Sequence, residues 1–361
     1  MIINSLELCN FRNYENLKLN LSSGVNIFYG DNAQGKTNIL EAIYLSGTTK
    51  SHKGSKDRDM IRFGCDEAHI RANTIRGNRV NQIDIHLKKN RTKGIAINKI
   101  PINRASELFG ILNIVFFSPE DLNIIKNSPA HRRRFLDLEL CQLDKIYLSN
   151  LTKYNRILRQ RNKLLKDIAF NNTLEETLDI WDIQLIECGK QIINARDIFI
   201  KEIAPLISKI HYDISGGKEM LDIKYNPDTL IDEFEKKLKA NRAIELKNKM
   251  TMAGPHRDDI DFNIDGVDIK KYGSQGQQRT TALSLKLSEI SLVEKRIKEK
   301  PILLLDDVFS ELDKNRQNLL ISRIKDTQTL ITCTGIDEFV KECISTNKTY
   351  KVINGKVYES K

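Results

Sequence analysis

Residues Gly30-Asp31-Asn32-Ala33-Gln34-Gly35-Lys36-Thr37 carry two glycines, a lysine and a threonine at the spacing G-x-x-x-x-G-K-[ST]. Glycines at these places let the backbone turn tightly and come close to an anion, so that its amide N–H groups and the start of the following helix face phosphate. Lys36 would reach the β- and γ-phosphates of a nucleotide, and Thr37 would offer a hydroxyl to Mg²⁺. A second segment, Ile302-Leu303-Leu304-Leu305-Asp306-Asp307, is an apolar run that ends in two carboxylates. Alone it reads equally as a buried strand finishing in solvated acids or as a Walker B element. Paired with a phosphate-binding loop, the second reading leads: Asp306 joins Thr37 as a ligand of the Mg²⁺ shell, and Asp307 polarises the attacking water.

A third segment, Ser274-Gln275-Gly276-Gln277-Gln278, precedes a stretch with Leu283, Leu285 and Leu287. It resembles the signature of ABC ATPases, Leu-Ser-Gly-Gly-Gln, with Gln275 in place of the first glycine. The physics is again that of a helix start presenting Ser and Gly donors to an anion; the competing reading is a polar loop capped by Ser274. Ser310-Glu311-Leu312-Asp313 follows the second acid pair, where the ABC pattern has its D-loop, and this favours the signature. In such proteins the signature closes on the γ-phosphate held by the opposite protomer.

The elements that must position these residues are legible around them. Leu6 and Leu8, then Leu17, Leu19 and Leu21, then Val25, Ile27 and Tyr29 alternate as strands do, the last leading into the glycine loop. Ile39, Leu40, Ile43 and Tyr44 then share one face of a helix. Ile83, Ile85 and Leu87 against Ile95 and Ile97 predict a hairpin over 80–100, with Lys88, Lys89, Arg91 and Lys93 in its loop, and Ile111 to Phe117 predicts a buried strand. From Ser128-Pro129, a good helix start, an apolar stripe through Leu136, Leu140, Leu143, Tyr147, Leu151, Tyr154 and Leu158 predicts one long helix. Phe170-Asn171-Asn172 breaks it. Thr173 with Glu176 suggests a capping box opening a second helix through Leu178, Trp181, Leu185, Ile192 and Phe199, the two forming an antiparallel hairpin. Beyond Met252 the pattern predicts a short hairpin turning at Asp265-Gly266, a helix after Gly276, and strands at Ile302–Leu305 and Thr329–Cys333.

The surplus of Lys and Arg over Asp and Glu, 58 against 48, gives a net charge of +10. That suits polyanionic partners, and equally a solubilising surface. The six cysteines lack CxxC or zinc spacing and read as reduced thiols. The start MIINSLELCN has neither a basic n-region nor a long apolar stretch, and no run approaches the roughly 20 apolar residues of a membrane span. A cytoplasmic protein is expected.

Together the blocks resemble the RecF family, relatives of the SMC ATPase heads. The resemblance rests on Asn10-Phe11-Arg12-Asn13-Tyr14, Gly30–Thr37, Ser51-His52 with Asp57-Arg58-Asp59, Ser118-Pro119-Glu120-Asp121, Arg132–Asp137, Gly254–Asp259, Gly273–Thr280 and Leu304–Asp313, spread over nearly the whole chain. It implies an α/β fold: an ABC/SMC-head-like P-loop ATPase lobe over 1–127 and 249–361, with an inserted α-helical, arm-like subdomain over 128–248. It further implies ATP and Mg²⁺ as cofactors, an ATP-dependent homodimer closed by Ser274, Gln275, Gly276 and Gln277 of the opposite copy, and binding to gapped or duplex DNA. RecR and RecO are the implied partners, in gap repair, replication and the SOS response to DNA damage, with a slow, DNA-stimulated ATPase. Arg12 is implied beside the nucleotide; a residue in a strand turn at the surface is the other reading. His256 and Arg257 sense nucleotide or DNA, or are a satisfied loop histidine and a solvated arginine. Arg132–Arg134 and the Lys88–Lys93 loop contact DNA phosphates, or are solvated charge runs. Two departures from the general ABC pattern stand out: no Q-loop glutamine is evident, and Thr332-Cys333-Thr334 occupies the place of a switch histidine. Both argue against fast hydrolysis. An ABC transporter subunit and an SMC-like structural scaffold are the rival readings; the long helical insert and the basic balance speak against the first.

Overall fold

Alternation of apolar and polar residues builds the first sheet. The computed structural model describes residues 1–324, 326–335 and 346–360. Strands β1 (Ile2–Phe11) and β2 (Tyr14–Asn20) form a hairpin, and β3 (Val25–Tyr29) leads through the glycine loop into helix α1 (Lys36–Thr48). Strands β4 (Glu67–Arg76), β5 (Arg79–Lys88), β6 (Gly94–Ile97) and β7 (Ile100–Pro101) follow. They assemble antiparallel in the order β2-β1-β4-β5-β6-β7. Ile83 pairs with Ile97 and Ile85 with Ile95, as the hairpin reading requires. Strand β8 covers only Ile114–Phe117. The expected start at Ile111 fails because Gly110, with φ 83°, turns the chain, and Ile111 N–H bonds back to the Leu108 carbonyl.

Contacts divide the chain into two compact units: Met1–Asp121 with Leu285–Lys361, and Leu122–Ser284. The second opens with α2 (Leu122–Lys126) and α3 (Pro129–Leu143), then α4 (Lys145–Ile168) and α5 (Leu178–Ile214). The stripe expected to be one helix is thus two. Asp144 leaves helical geometry (φ −138°, ψ 109°) and its carboxylate accepts from the Ile146 and Tyr147 N–H groups, capping α4. A stripe of apolar residues is blind to such a break, because the heptad-like spacing resumes in phase beyond it. The Thr173–Glu176 capping box is also absent: Asn171 accepts from Thr173 N–H, and a 3-10 turn over Asn172–Thr177 precedes α5. Helices α4 and α5 run antiparallel, since Tyr147 meets Arg196 while Arg161, further along α4, meets Asp182 near the start of α5. The unit continues with β9 (Leu221–Asn226), α6 (Phe234–Ala240), α7 (Arg242–Asn248), β10 (Asp259–Ile264), β11 (Val267–Asp268) and α8 (Ile269–Tyr272). The turn between β10 and β11 is Asp265-Gly266, both at positive φ.

Helix α9 (Gln275–Ile297) begins in the second unit and continues into the first. Strands β12 (Ile302–Asp306), β13 (Thr329–Cys333), β14 (Thr346–Ile353) and β15 (Lys356–Ser360), with α10 (Lys314–Ile324), complete the chain. The second sheet runs β15-β14-β3-β13-β12-β8, parallel except for β15. Helix α1 touches β4 and β5 of one sheet and β8, β12 and β13 of the other. It is therefore buried on both faces, which is why its sequence, from Ile39 to Leu45, is apolar nearly all round. Among the described residues no disulfide forms, and no helix is long and apolar enough to cross a membrane; Cys343 lies outside the described residues.

Candidate functional site

Three parallel neighbours, β3, β13 and β12, end at the same edge of the second sheet, and their ends bring remote residues together. This is the edge at which open α/β sheets bind ligands. The loop leaving β3 holds Gly30 at φ 147°, Ala33 at 62° and Gly35 at 115°. A Cβ on Gly30 would lie 2.4 Å from the Val352 carbonyl oxygen of β14, so only glycine fits. Lys36 is 4 % exposed, and its Nζ donates to the carbonyls of Gly30 (2.6 Å) and Asp31 (2.9 Å), holding the ammonium inside the loop. Asp31, Asn32 and Ala33 are exposed on the loop's outer turn.

Thr37 Oγ1 donates to Asp306 Oδ1 at 2.7 Å, joining the start of α1 to the end of β12. Thr332, at the end of β13, donates to the same Oδ1 at 2.7 Å and accepts from Asp307 N–H at 3.0 Å. Asp307 sits at φ 52°, and burial raises its carboxyl pKa, with nearby Lys36 opposing and Asp306 adding to the shift. Downstream, Ser310 Oγ donates to the Asp307 carbonyl, and Asp313 accepts from Arg316 N–H at the head of α10. Thr37 and Asp306 place two hard oxygen donors at one point, which fits Mg²⁺. Among the described residues no group of three or more His, Cys, Asp or Glu could hold a metal ion. A cation that takes its remaining ligands from phosphate and water needs no such group.

Arg12, in the β1–β2 turn at φ 54°, donates from Nε and Nη2 to the fully buried Glu41 (2.7 and 2.8 Å), from Nη2 to Ser55, and from Nη1 to the Asp59 carbonyl. Burial raises the Glu41 pKa, but bonds from Arg12 and Ser51 outweigh it and hold the carboxyl below its ordinary value. The residues of this turn that touch the phosphate loop are its neighbours. Asn13 Nδ2 donates to the Gln34 carbonyl (2.8 Å), and Tyr14 hydroxyl donates to the Gly35 carbonyl (3.1 Å). On the other side the β14–β15 turn straps the loop, with Asn354 N–H on Gln34 Oε1 and Gly355 N–H on the Gln34 carbonyl. Sequence reasoning missed Asn13, Thr332, Asn354 and Gly355 as site residues; Asn354-Gly355 carries a turn signal that could have been read. His52, between Tyr44 and Phe116, is pushed down to about 4 by burial, against the pull of Glu41 and Asp306. Phe117 pairs with Leu305, so the loop from Ser118 starts beside Asp306. Its Asp121 accepts from Ser118 N–H and lies 3.5 Å from Lys286 of α9.

The signature segment belongs to the second unit, whereas the phosphate loop belongs to the first. Ser274 N–H donates to Gln277 Oε1 (2.9 Å) and Gln277 N–H to Ser274 Oγ (3.2 Å), a reciprocal cap on α9. Ser274, Gln275 and Gly276 are exposed at the head of this 23-residue helix. In the second unit, His256 is bonded through Nδ1 to Tyr154 hydroxyl and through Nε2 to the Thr251 carbonyl, and burial lowers its pKa to about 4. It is the satisfied loop histidine, while Arg257 is half-exposed near Asp228 and Met252. Arg132 is neither a phosphate contact nor a solvated charge. It is 1 % exposed and forks onto Asp259, a correction that burial alone enforces. Arg133 donates to the Asp258 carbonyl.

A parallel sheet whose edge joins a glycine loop, a lysine, a threonine and two acids, with a capped signature helix in the same chain, defines an α/β P-loop ATPase head of the ABC/SMC kind. The model of the RecF/RecN/SMC N-terminal domain matches residues 2–357. The DNA replication and repair protein RecF of Agathobacter rectalis is 64 % identical over 359 residues, 99 % of both chains. A solved structure of the recombination mediator protein RecF with ATP, of the RecFOR pathway, superposes with a TM-score of 0.94 at 35 % identity, covering 99 % of this chain and 97 % of that one. An SMC head from Pyrococcus furiosus, at TM-score 0.58 and 18 % identity, covering 99 % of this chain and 96 % of that one, shares the fold. The chain belongs to the RecF family of DNA replication and repair proteins.

Proposed function

We propose that this chain is an ATP-dependent DNA-binding protein of recombinational gap repair, in which ATP joins two copies head to head. The observation that carries the reading is the distribution of the pocket: Lys36, Thr37, Asp306 and Asp307 converge in one unit, while Ser274 and Gly276 stand exposed at a capped helix head in the other. An exposed helix start of this kind is a ready anion site, suited to a γ-phosphate held by a second copy. The relative solved with ATP supports the nucleotide, and its place in the RecFOR pathway supports RecO and RecR as partners. In this reading 1–127 and 249–361 form the ATPase head, which takes in residues 249–284 of the second compact unit, and 128–248 form the helical arm.

The geometry allows each residue a task. Lys36 would exchange the Gly30 and Asp31 carbonyls for β- and γ-phosphate oxygens, since its ammonium already sits inside the loop. Gly30, Asp31, Asn32, Ala33, Gln34 and Gly35 would turn their backbone toward the phosphates. Arg12, anchored on Glu41, would stand near them. Thr37 and Asp306 would hold Mg²⁺, which when bound neutralises charge between the β- and γ-phosphates. Asp307, with its raised pKa, would be a stronger proton acceptor than an ordinary carboxylate and would orient water. Thr332 occupies the switch position with its hydroxyl already committed to Asp306 and Asp307, which favours slow turnover. Loss of the γ-phosphate contacts would let the pair open.

Substituting Ser274→Arg tests the shared pocket. The variant should bind ATP as the parent does yet remain a monomer by light scattering in excess ATP, where the parent doubles its mass. A variant that still dimerises, or a parent that pairs equally well without nucleotide, overturns the reading.

A further inference from the structure

We infer that the exposed face of α4 is the surface that grips the phosphodiester backbone of duplex DNA, an inference resting on the DNA-binding function proposed above. Six cations of this helix are exposed: Lys145, Lys153, Arg156, Arg159, Lys163 and Lys166. At about 100° per residue, five of them fall within an arc of about 80°, and Lys153 lies about 60° outside it. From Lys145 to Lys166 the row extends about 32 Å, at about 1.5 Å per residue, close to one turn of duplex. Apart from Ile146, the other exposed positions between them are Ser149, Thr152, Asn155 and Gln160, neutral side chains that hydrogen-bond phosphate oxygens. Asp167 is the one exposed acid of the helix.

What separates this row from the hairpin loop and Arg132 is that no carboxylate among the described residues pairs with it. Lys88 lies 3.7 Å from Glu67, Lys89 3.5 Å from Asp66 and Lys93 2.9 Å from Asp57, so the hairpin loop is largely spent on its own acids. Arg132 is buried on Asp259. Among the described residues none of the six α4 cations has a carboxylate within ion-pair distance; Arg159 bonds only the Asn155 carbonyl of its own helix. Arg156 with Arg159, Arg159 with Lys163, and Lys163 with Lys166 stand at i,i+3 or i,i+4 spacing, where like charges destabilise a helix. A row that costs the isolated helix stability is explained by an anion long enough to run its length. An anionic lipid surface fits less well, because Ile146 is the one large exposed apolar side chain of α4 and leaves no apolar face to insert.

The test substitutes Arg156→Gln, Arg159→Gln, Lys163→Gln and Lys166→Gln together in the full chain. Binding of a blunt 30-base-pair duplex is read by fluorescence anisotropy in saturating ATP, between 50 and 200 mM salt. A control removes the same charge from two exposed cations that have partners, Lys201→Glu with Lys239→Glu. The expected result is a loss of at least tenfold in affinity for the quadruple variant, with the slope of log affinity against log salt reduced by about 0.9 for each phosphate contact removed. ATP affinity and thermal stability should be undiminished, and the control should bind as the parent does. Parental affinity in the quadruple variant overturns the inference while leaving the proposed function standing. A parent chain that fails to bind duplex at all overturns both. Retention of the parent, but not the quadruple variant, on vesicles of phosphatidylserine, with duplex binding unchanged between the two, overturns it in favour of a lipid surface.

Discussion

Thr332→Val removes one hydroxyl while keeping the shape of the side chain, and it isolates the contact that joins the two acids of the site. Thr332 Oγ1 donates to Asp306 Oδ1 at 2.7 Å and accepts from Asp307 N–H at 3.0 Å, in a position with no exposure. A hydrogen bond to a charged acceptor contributes about 1.5–3 kcal/mol net. Asp307 N–H keeps its second acceptor, the Thr332 carbonyl at 3.2 Å, so its loss is smaller, about 0.5 kcal/mol. The sum is about 2–3.5 kcal/mol of stability for Met1–Asp121 with Leu285–Lys361, read as a lower urea midpoint with unchanged slope. Asp306 keeps Thr37, so ATP affinity should fall by less than tenfold, whereas turnover should fall by at least tenfold because the Asp307 backbone is no longer held from both sides. The assay pairs urea unfolding with equilibrium ATP binding and single-turnover hydrolysis. A change under 0.5 kcal/mol together with parental turnover would refute the argument that this hydroxyl positions both acids.

Three further outcomes are expected. Lys36→Ala should abolish ATP binding, because the loop loses its one buried cation; calorimetry showing parental affinity would contradict this. Asp307→Asn should accumulate the ATP-bound pair, and a variant that stays monomeric in excess ATP by sedimentation would argue against its role with water. The imidazoles of His52 and His256 are both depressed to about 4, so the unfolded chain takes up protons first as pH falls below about 6.5. Stability from these groups is complete above that pH and is lost progressively toward pH 4, about 2 kcal/mol per imidazole by pH 5. Urea unfolding at pH 7 and pH 5 measures it, and His256→Gln should remove one share of the difference; an equal slope in that variant would count against a neutral buried His256.

Much of the site was legible because its chemistry is local. The glycine loop, Lys36 and Thr37 sit within eight consecutive residues, and backbone geometry there depends on the residues themselves, down to the positive φ of Gly30 and Gly35. Alternation located β3, β5 and β6, a continuous apolar run located β12, and the turn residues Asp265-Gly266 located a hairpin, since side-chain pattern and turn chemistry act between near neighbours. The reading failed where one carboxylate outweighed a pattern. Asp144 splits α3 from α4 because its side chain reaches two N–H groups, a preference the apolar stripe does not record.

The sequence alone determined which residues form the glycine loop between β3 and α1, which strand carries the acid pair and that the chain has a long helical hairpin, because spacing along a chain dictates which side chains share a turn or a face. Only the tertiary structure decided what remote residues do to one another. It brought Thr332 to Asp306 and Asp307 across 26 and 25 positions, laid Asn13 and the Asn354-Gly355 turn against Gln34, and sorted the cations into those buried on carboxylates and those left bare along α4. Charge is written in the sequence, but whether it is cancelled depends on neighbours that arrive only when the chain has folded.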